Sequence, residues 1–151
     1  MALDLFLETR RLLDALDEAG VEHAVAGAIA LAVHGVPRAT SDIDVLIPED
    51  RLEAAIEAAR ASGFSHQALP MTFPDGMRIR RVTRIEGDET LTLDLLLVGP
   101  NLEEVWETRQ RVPIEGGEMS VVSREGLIRM KAWAGRDQDL ADIRRLEELD
   151  R

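Results

Sequence analysis

The chain has 151 residues, of which 45% are hydrophobic and 31% charged, a balance typical of one globular domain rather than a disordered chain. A formal net charge of −11 and an aromatic content of 3% argue against non-specific duplex DNA binding and against base stacking on single strands. The lack of cysteine excludes disulfides and thiolate zinc sites, and the lack of a signal peptide or apolar span predicts a cytoplasmic protein without a membrane partner.

The N-terminal part is predicted to form a helix, a short strand and a second helix. Apolar residues at helical spacing predict an amphipathic helix from Leu3 to Ala19, which Gly20 ends. Residues 24–26 form a short strand that Gly27 breaks, and an alanine-rich helix follows. A strand, a glycine and a helix N-terminus make a potential anion site, because free backbone N–H groups and the helix dipole face the same point.

Asp42 and Asp44 begin the next predicted strand. Because successive side chains of a strand alternate between its faces, these two carboxylates share one face while Ile43, Val45 and Ile47 face the core. Two adjacent carboxylates repel each other, and a buried pair sheds one charge through a raised pKa unless a cation lies between them. Oxygen ligands of this kind suit Mg²⁺ or Mn²⁺. The pair therefore indicates a metal site, the alternative being a strand end at the surface.

The middle of the chain is predicted as a helix over residues 48–62, followed by strands. Residues 64–69 should form a strand and residues 70–76 a loop, with two longer strands over residues 77–85 and 90–98. Four arginines of the first long strand could form a local basic patch: Arg78, Arg80, Arg81 and Arg84.

Asp94 is a lone carboxylate in the leucine-rich strand that ends at Val98. An unpaired charge at such a position would be costly, so Asp94 needs a partner. If this strand lies beside the strand of Asp42 and Asp44, Asp94 could reach the same metal ions. A salt bridge to a nearby arginine is the alternative.

The C-terminal part is predicted as a helix capped by Asn101, a hairpin over residues 111–122 and two further helices. Ser123 should cap the first of these helices, and Asp137 the second, over residues 138–149.

Four charged residues of these last helices are spaced so that they could form a cluster. Asp139 and Asp142 are three positions apart and lie on one helical face, with Arg136 within salt-bridge reach. An ion-pair network at the start of the helix is one interpretation. Lys131 could be a solvated helix lysine, or its ammonium group could neutralise a triphosphate.

The stretch around the two aspartates resembles the signature of the nucleotidyltransferase superfamily that includes DNA polymerase β. It consists of Gly27-Ala28 and, after an interval of helix length, Arg38-Ala-Thr40-Ser-Asp42-Ile-Asp44. The resemblance implies that three carboxylates are catalytic and bind metal: Asp42, Asp44 and Asp94. It also implies four nucleotide-binding residues: Gly27, Ala28, Arg38 and Thr40. The superfamily usually has Gly-Gly or Gly-Ser at the first motif, so Ala28 lacks a hydroxyl that could grip the triphosphate.

The C-terminal cluster resembles motifs of the small bacterial abortive-infection (AbiE-type) toxins and related minimal nucleotidyltransferases. These are a lysine motif, here Lys131, and an Arg-x-x-Asp-x-x-Asp motif, here Arg136, Asp139 and Asp142. The resemblance implies that Lys131 binds nucleotide phosphate and that the other three residues support the nucleotide or the acceptor.

The expected fold is α/β or α+β, the nucleotidyltransferase fold, with a mixed, partly antiparallel sheet and helices mainly on one side. Residues 1–122 would form the core, and residues 123–151 a C-terminal helical segment packed on the same domain.

The activity that the resemblance implies is transfer of a nucleoside monophosphate from an NTP to an unknown acceptor, which could be RNA, protein or a small molecule. Two Mg²⁺ ions, or Mn²⁺, would be bridged by Asp42 and Asp44, and Asp94 could also take the acceptor's proton. A toxin of this kind would have a cognate antitoxin protein as its partner. Two alternatives stay open: an inactive nucleotide-binding or protein-interaction module, which Ala28 favours, and a small-molecule (antibiotic) nucleotidyltransferase, which the acidic surface favours.

Overall fold

The computed structural model describes residues 3–149, and this range contains six α-helices and eight strands. The helices are α1 (Leu5–Glu18), α2 (Gly27–Val33), α3 (Leu52–Ala61), α4 (Glu103–Glu107), α5 (Arg124–Ala134) and α6 (Asp137–Glu148). The strands are β1 (Ala24–Ala26), β2 (Asp42–Pro48), β3 (His66–Gln67), β4 (Met71–Thr72), β5 (Arg78–Glu86), β6 (Glu89–Val98), β7 (Gln110–Ile114) and β8 (Gly117–Val121).

The strands form one mixed sheet in the order β3-β5-β6-β2-β1-β8-β7, with β4 also paired to β5. β2 runs parallel to β6 and antiparallel to β1, and β5 and β6 form a long antiparallel hairpin. β1 and β8 are parallel, and β7 and β8 form a second hairpin. The predicted mixed, partly antiparallel sheet is confirmed.

The central strand β2 alternates as its sequence predicts. Ile43, Val45 and Ile47 have no solvent exposure, whereas Asp42 is exposed and Asp44 is partly exposed. The apolar side chains of β2 belong to the same hydrophobic core as the inward residues of α1 and α3. Burial of this face fixes the register of β2, because a shift by one residue would move the aspartates into the core.

Two predicted elements around β5 are different in the structure. The strand expected over residues 64–69 is only the two-residue strand β3, and the loop expected over residues 70–76 contains β4. Both short strands pair with β5 at the edge of the sheet, and most of their residues are exposed. Because they bury little, no hydrophobic alternation marks them, and Pro70 between them removes a backbone donor.

Two predicted caps are also wrong. Asn101 lies inside a 3₁₀ turn, Pro100–Leu102, that leads into α4, and α4 begins only at Glu103. Helix α6 begins at Asp137, so the capping position belongs to Arg136, whose backbone N–H donates to Asp139 Oδ2 at 3.2 Å. The carboxylate of the third helical residue thus replaces the predicted cap.

The C-terminal helices pack on the rest of the chain. α5 contacts α2, α4 and α6, and Leu146 of α6 is fully buried in the common core. The division into a core of residues 1–122 and a C-terminal helical segment of residues 123–151 stays a prediction, and residues 1–2 and 150–151 lie outside the described residues. Between residues 3 and 149, no helix is both long and apolar enough to cross a membrane.

The cap of α5 gives a first prediction. Ser123 is buried, and its Oγ accepts a hydrogen bond from Gly126 N at 3.0 Å. Ser123→Ala should therefore lower the free energy of unfolding by about 1 kcal/mol in urea titrations followed by circular dichroism. The exposed Ser65→Ala is the control, with an expected change below about 0.5 kcal/mol. Equal values for the two variants would contradict the cap.

Candidate active site

The register of the central strands brings the predicted carboxylates together. In the parallel ladder of β2 and β6, Asp44 is paired with Asp94, and Asp42 with Thr92. Paired residues of neighbouring strands project from the same face of a sheet, so all three carboxylates share one face. Asp42 is exposed at the start of β2, whereas Asp94 is only 7% exposed. The site therefore lies where this face passes from solvent into the core.

Gly27, directly after strand β1, leaves room for the Asp44 carboxylate. It follows Ala26, the β1 partner of Asp44, and is the first residue of α2, with a left-handed φ of +62°. A Cβ at this position would overlap Asp44 Oδ2 and lie 2.9 Å from Asp44 Cγ. Glycine is thus required at position 27 both for its backbone conformation and for the space that the carboxylate fills.

Two further residues of the predicted site, Thr40 and Ala28, lie close in sequence to Asp42 and Gly27. Thr40 Oγ1 accepts a hydrogen bond from Asp42 N at 3.0 Å and fixes the entry into β2. Ala28 is the second residue of α2 and is partly exposed, so this position carries a methyl group and no hydroxyl.

The three carboxylates are short of positive charge. Burial, then the charge of Asp94 and then that of Asp42 raise the pKa of Asp44 from 3.8 to about 6. The charges of Arg81 and Lys131 act in the opposite direction but do not cancel the rise in this pKa. A group of this kind stabilises a bound cation, because the cation removes the repulsion between carboxylates.

Arg81 is the partner of Asp94 in this structure. It lies directly across the β5–β6 ladder, and it donates from Nε to Asp94 Oδ1 at 2.8 Å and from Nη2 to Oδ2 at 3.0 Å. Both carboxylate oxygens of Asp94 are thus engaged by one guanidinium fork. The salt-bridge alternative for Asp94 is present, and its role as a metal ligand stays a prediction.

Two other arginines of the suggested basic patch, Arg78 and Arg84, are also paired. Arg78 makes two hydrogen bonds of 2.7 Å to the carboxylate of Glu49. Arg84 pairs with the buried Glu8 of α1 and, at 3.1 Å, with Glu86.

Asp142 is the centre of a second charged group, formed by α5, α6 and the loop before β2. It has no solvent exposure, and its Oδ2 lies 2.8 Å from Lys131 Nζ. Arg38 pairs with its Oδ1, which also accepts a hydrogen bond from Gln138 at 3.0 Å. Burial alone would raise the pKa of Asp142, but hydrogen bonds from Lys131 and Gln138 and the charge of Arg38 hold it below the ordinary value.

Asp139 belongs to the same charged group and contacts Arg136 and Lys131. Its Oδ2 accepts from Arg136 Nε at 2.7 Å, and its Oδ1 lies 3.5 Å from Lys131 Nζ. Although burial raises the pKa of Asp139, the bonds from Arg136 outweigh it and lower the pKa.

Asp139 and Asp142 are 2% and 0% exposed, so their carboxylates hold Lys131 and Arg38 rather than facing a ligand directly. The structure thus forms two groups from the predicted site residues. The first group contains Gly27, Ala28, Thr40, Asp42, Asp44 and Asp94, and the second contains Arg38, Lys131, Arg136, Asp139 and Asp142.

The carboxylates on the sheet face are oxygen donors of the kind that Mg²⁺ and Mn²⁺ prefer, and burial together with the charges of Asp94 and Asp42 raises the pKa of Asp44. They fit a divalent cation in chemistry and register. As the side chains stand, however, no three acidic or histidine side chains within residues 3–149 converge on one point, and Asp94 turns to Arg81. A cavity of about 540 Å³ lies elsewhere and is lined by residues such as Asp17, Glu22 and Arg109, not by the three aspartates.

Comparison with known protein families shows the family of this chain. Residues 5–151 match the family described as nucleotidyl transferase of unknown function (DUF2204). The chain belongs to this nucleotidyltransferase family. No curated protein sequence matches it.

Solved structures agree with the fold of this nucleotidyltransferase. A candidate nucleotidyltransferase from Thermotoga maritima has a TM-score of 0.64 and 19% identity, covering 95% of this chain and 92% of its own. The lincosamide antibiotic adenylyltransferase LnuA, with lincomycin bound, has a TM-score of 0.64 and 14% identity, covering 95% and 96%. ANT(2″)-Ia in complex with adenylyl-2″-tobramycin has a TM-score of 0.61 and 17% identity, covering 96% and 93%. The predicted nucleotidyltransferase fold is confirmed, whereas the narrower AbiE-type resemblance stays a prediction.

Sequence reasoning missed the specific pairing of Arg81 with Asp94 in this nucleotidyltransferase, although a signal was present. Gly87 and Asp88 form the two-residue turn between β5 and β6; Arg81 lies six positions before Gly87, and Asp94 lies six positions after Asp88. Counting outwards from a two-residue hairpin turn pairs them directly.

The raised pKa of Asp44 predicts a pH-dependent stability in EDTA. Its pKa in the folded protein, about 6, exceeds the ordinary value of 3.8, so the protonated group stabilises the fold below pH 4 and this contribution is lost as pH rises through 6. Asp44→Asn should therefore gain stability relative to the wild type between pH 4 and pH 8, by on the order of 2–3 kcal/mol.

Urea unfolding at pH 4 and at pH 8 measures the stability of Asp44→Asn relative to the wild type. The exposed Asp50→Asn is the control for the loss of one negative charge. An Asp44→Asn variant whose relative stability does not change with pH would show that burial and the neighbouring carboxylates do not raise the pKa of Asp44.

The second group predicts a large cost for one substitution. Asp142→Asn removes the buried counter-charge of Arg38 and the nearer of the two carboxylates beside Lys131, and it should lower the free energy of unfolding by roughly 3–5 kcal/mol. The matched variant Glu147→Gln, on the exposed side of α6, should change it by less than about 0.5 kcal/mol. A mild effect of Asp142→Asn would mean that the buried network does not hold α5, α6 and the Arg38 loop together.

Proposed function

We propose that this nucleotidyltransferase moves a nucleoside monophosphate from an NTP to the hydroxyl group of an acceptor, with Mg²⁺ or Mn²⁺ as cofactor. The observation that carries the proposal is the pairing of Asp44 with Asp94 in register, directly against Gly27 at the start of α2. Carboxylates for a cation and free backbone N–H groups for a phosphate lie side by side there.

Asp42, Asp44 and Asp94 would hold the metal ions. Two bound Mg²⁺ ions would neutralise the triphosphate and lower the pKa of the acceptor hydroxyl. Gly27 has no side chain, which leaves the Asp44 carboxylate room against the start of α2, and a phosphate would be bound by backbone N–H groups of the same turn. Transfer then depends mainly on positioning and electrostatics, which these residues supply.

Lys131 is suited to the nucleotide phosphates. Its ammonium has three donors, and Asp142 and Asp139 account for contacts of 2.8 and 3.5 Å. A third donor of this ammonium would bind phosphate, and the charge of Lys131 already acts on Asp44. Asp142 and Asp139 would keep this ammonium and the Arg38 guanidinium in place, so they would support nucleotide binding without touching it.

The acceptor is proposed to be a small hydroxyl-bearing molecule, cationic at neutral pH. The net charge of −11 favours such a molecule over nucleic acid. Two structures of similar fold and length support this choice, one with adenylyl-2″-tobramycin and one with lincomycin.

A toxin of a toxin–antitoxin pair is the second candidate. The spacing of Arg136, Asp139 and Asp142 after Lys131 supports it through the resemblance to AbiE-type proteins. Growth arrest on expression, lost in Asp44→Asn and relieved by the neighbouring gene product, would favour the toxin over a small-molecule enzyme.

Calorimetric titration of each NTP, with and without Mg²⁺, tests the proposed nucleotide site. Wild-type protein should bind at least one NTP in a Mg²⁺-dependent manner, and Asp42→Asn/Asp44→Asn should weaken this binding by at least about 100-fold because the metal ligands are gone. The exposed pair Asp50→Asn/Asp88→Asn controls for the same change in charge. Failure of every NTP to bind folded wild-type protein would favour the inactive module and make Ala28→Ser the next variant.

Pyrophosphate release in the presence of aminoglycosides, lincosamides, RNA or protein tests the reaction itself. Asp44→Asn should lower turnover by at least about 100-fold while the far-ultraviolet circular dichroism spectrum is unchanged. Turnover retained by this variant would contradict the assignment of the carboxylates.

A further inference from the structure

We infer that Arg81 and the catalytic metal compete for Asp94, so that Arg81 is a positioning residue that releases the third carboxylate only when metal binds. This inference rests on the proposed function, because it assumes that Asp94 is a metal ligand. It assigns a role to a residue outside the nucleotidyltransferase signature.

The contact itself makes the two partners mutually exclusive. Arg81 uses the fork of Nε and Nη2 on both oxygens of Asp94, at 2.8 and 3.0 Å. A guanidinium in this bidentate position covers the edge of the carboxylate that a metal would approach. A cation shared with Asp44 would also lie close to the guanidinium, and the two positive charges would repel each other.

The positions of Asp42 and Asp44, the other two expected metal ligands, also support competition between Arg81 and metal. Asp44 is next to Asp94 in the β2–β6 register and Asp42 is on the same face, yet no three acidic side chains in the described range converge as they stand. The backbone has brought the donors together, and the side chain of Asp94 has turned to Arg81. Rotation of Asp94 and departure of the guanidinium would complete the ligand set without any change in the sheet.

Arg81 is free to make this movement. Its side chain is 44% exposed, whereas that of Asp94 is 10% exposed, so the guanidinium lies on the solvent side of the pair. The hydrogen bonds of the β5–β6 ladder involve backbone atoms only and do not depend on the fork. Such a pair neutralises the carboxylates when no metal is present, and it leaves a guanidinium beside the triphosphate when metal and nucleotide bind.

Mn²⁺ titration without nucleotide tests the competition. Calorimetry should show that Arg81→Met binds Mn²⁺ at least about tenfold more tightly than the wild type, because the competitor is gone. Arg78→Met is the matched control, since it removes the same charge from the same strand but from a pair with Glu49. It should bind Mn²⁺ like the wild type. Equal Mn²⁺ affinity of Arg81→Met and wild type, or no Mn²⁺ binding by either, would overturn the inference.

The arginine side-chain resonances provide a direct readout that does not depend on activity. The Nε–H signal of Arg81, identified by its absence from Arg81→Met, should be protected from water exchange in EDTA and lose that protection with saturating Mg²⁺. The Nε–H of Arg136 donates to Asp139 at 2.7 Å and serves as the internal control, which Mg²⁺ should leave unchanged. An Arg81 signal that stays protected at saturating Mg²⁺ would overturn the competition.

Mn²⁺ binding and NTP binding together distinguish this inference from the proposed function. Tighter Mn²⁺ binding by Arg81→Met together with no NTP binding by wild type would support the competition and contradict the nucleotide site. Should Arg81→Met fail to fold, Arg81→Lys retains the charge without the bidentate fork and should still bind Mn²⁺ more tightly than wild type. Wild-type Mn²⁺ affinity in a folded Arg81→Lys would then count against the competition.

Discussion

The structure depends on the crowding of three carboxylates on one face of two adjacent parallel strands. The core fixes this face, because Ile43, Val45 and Ile47 are buried on the opposite side of β2. The cost of the arrangement is visible in the raised pKa of Asp44. Such a cost is characteristic of sites whose ligand carries the missing charge, and here that ligand is proposed to be a divalent cation with an NTP.

The C-terminal helices serve this site through buried charges. Asp142 connects Arg38, which precedes β2 by a few residues, with Lys131 of α5. A network that is fully buried at its centre is costly to break, so the loop before β2 and the two last helices are held as one unit. Arg38 and Lys131, which are far apart in the sequence, are thereby held together, and the carboxylates of Asp139 and Asp142 are buried.

Local rules predicted much of the fold and part of the site. Strand alternation placed Asp42 and Asp44 on one face, and serine capping placed the start of α5. The pairing of β2 with β6 joins segments about 50 residues apart, and no local pattern specifies such a contact. The short edge strands and the burial of Asp142 were missed for the same reason, because exposure at an edge and burial under a neighbouring helix are set by tertiary packing.

The most direct measurement is a crystal structure with Mn²⁺ and a non-hydrolysable NTP analogue, with the metal located by anomalous scattering. The account predicts Mn²⁺ bound by Asp42 and Asp44, with Asp94 turned away from Arg81 and the triphosphate beside Gly27. Metal and nucleotide bound elsewhere, for example in the cavity lined by Asp17 and Glu22, would contradict it.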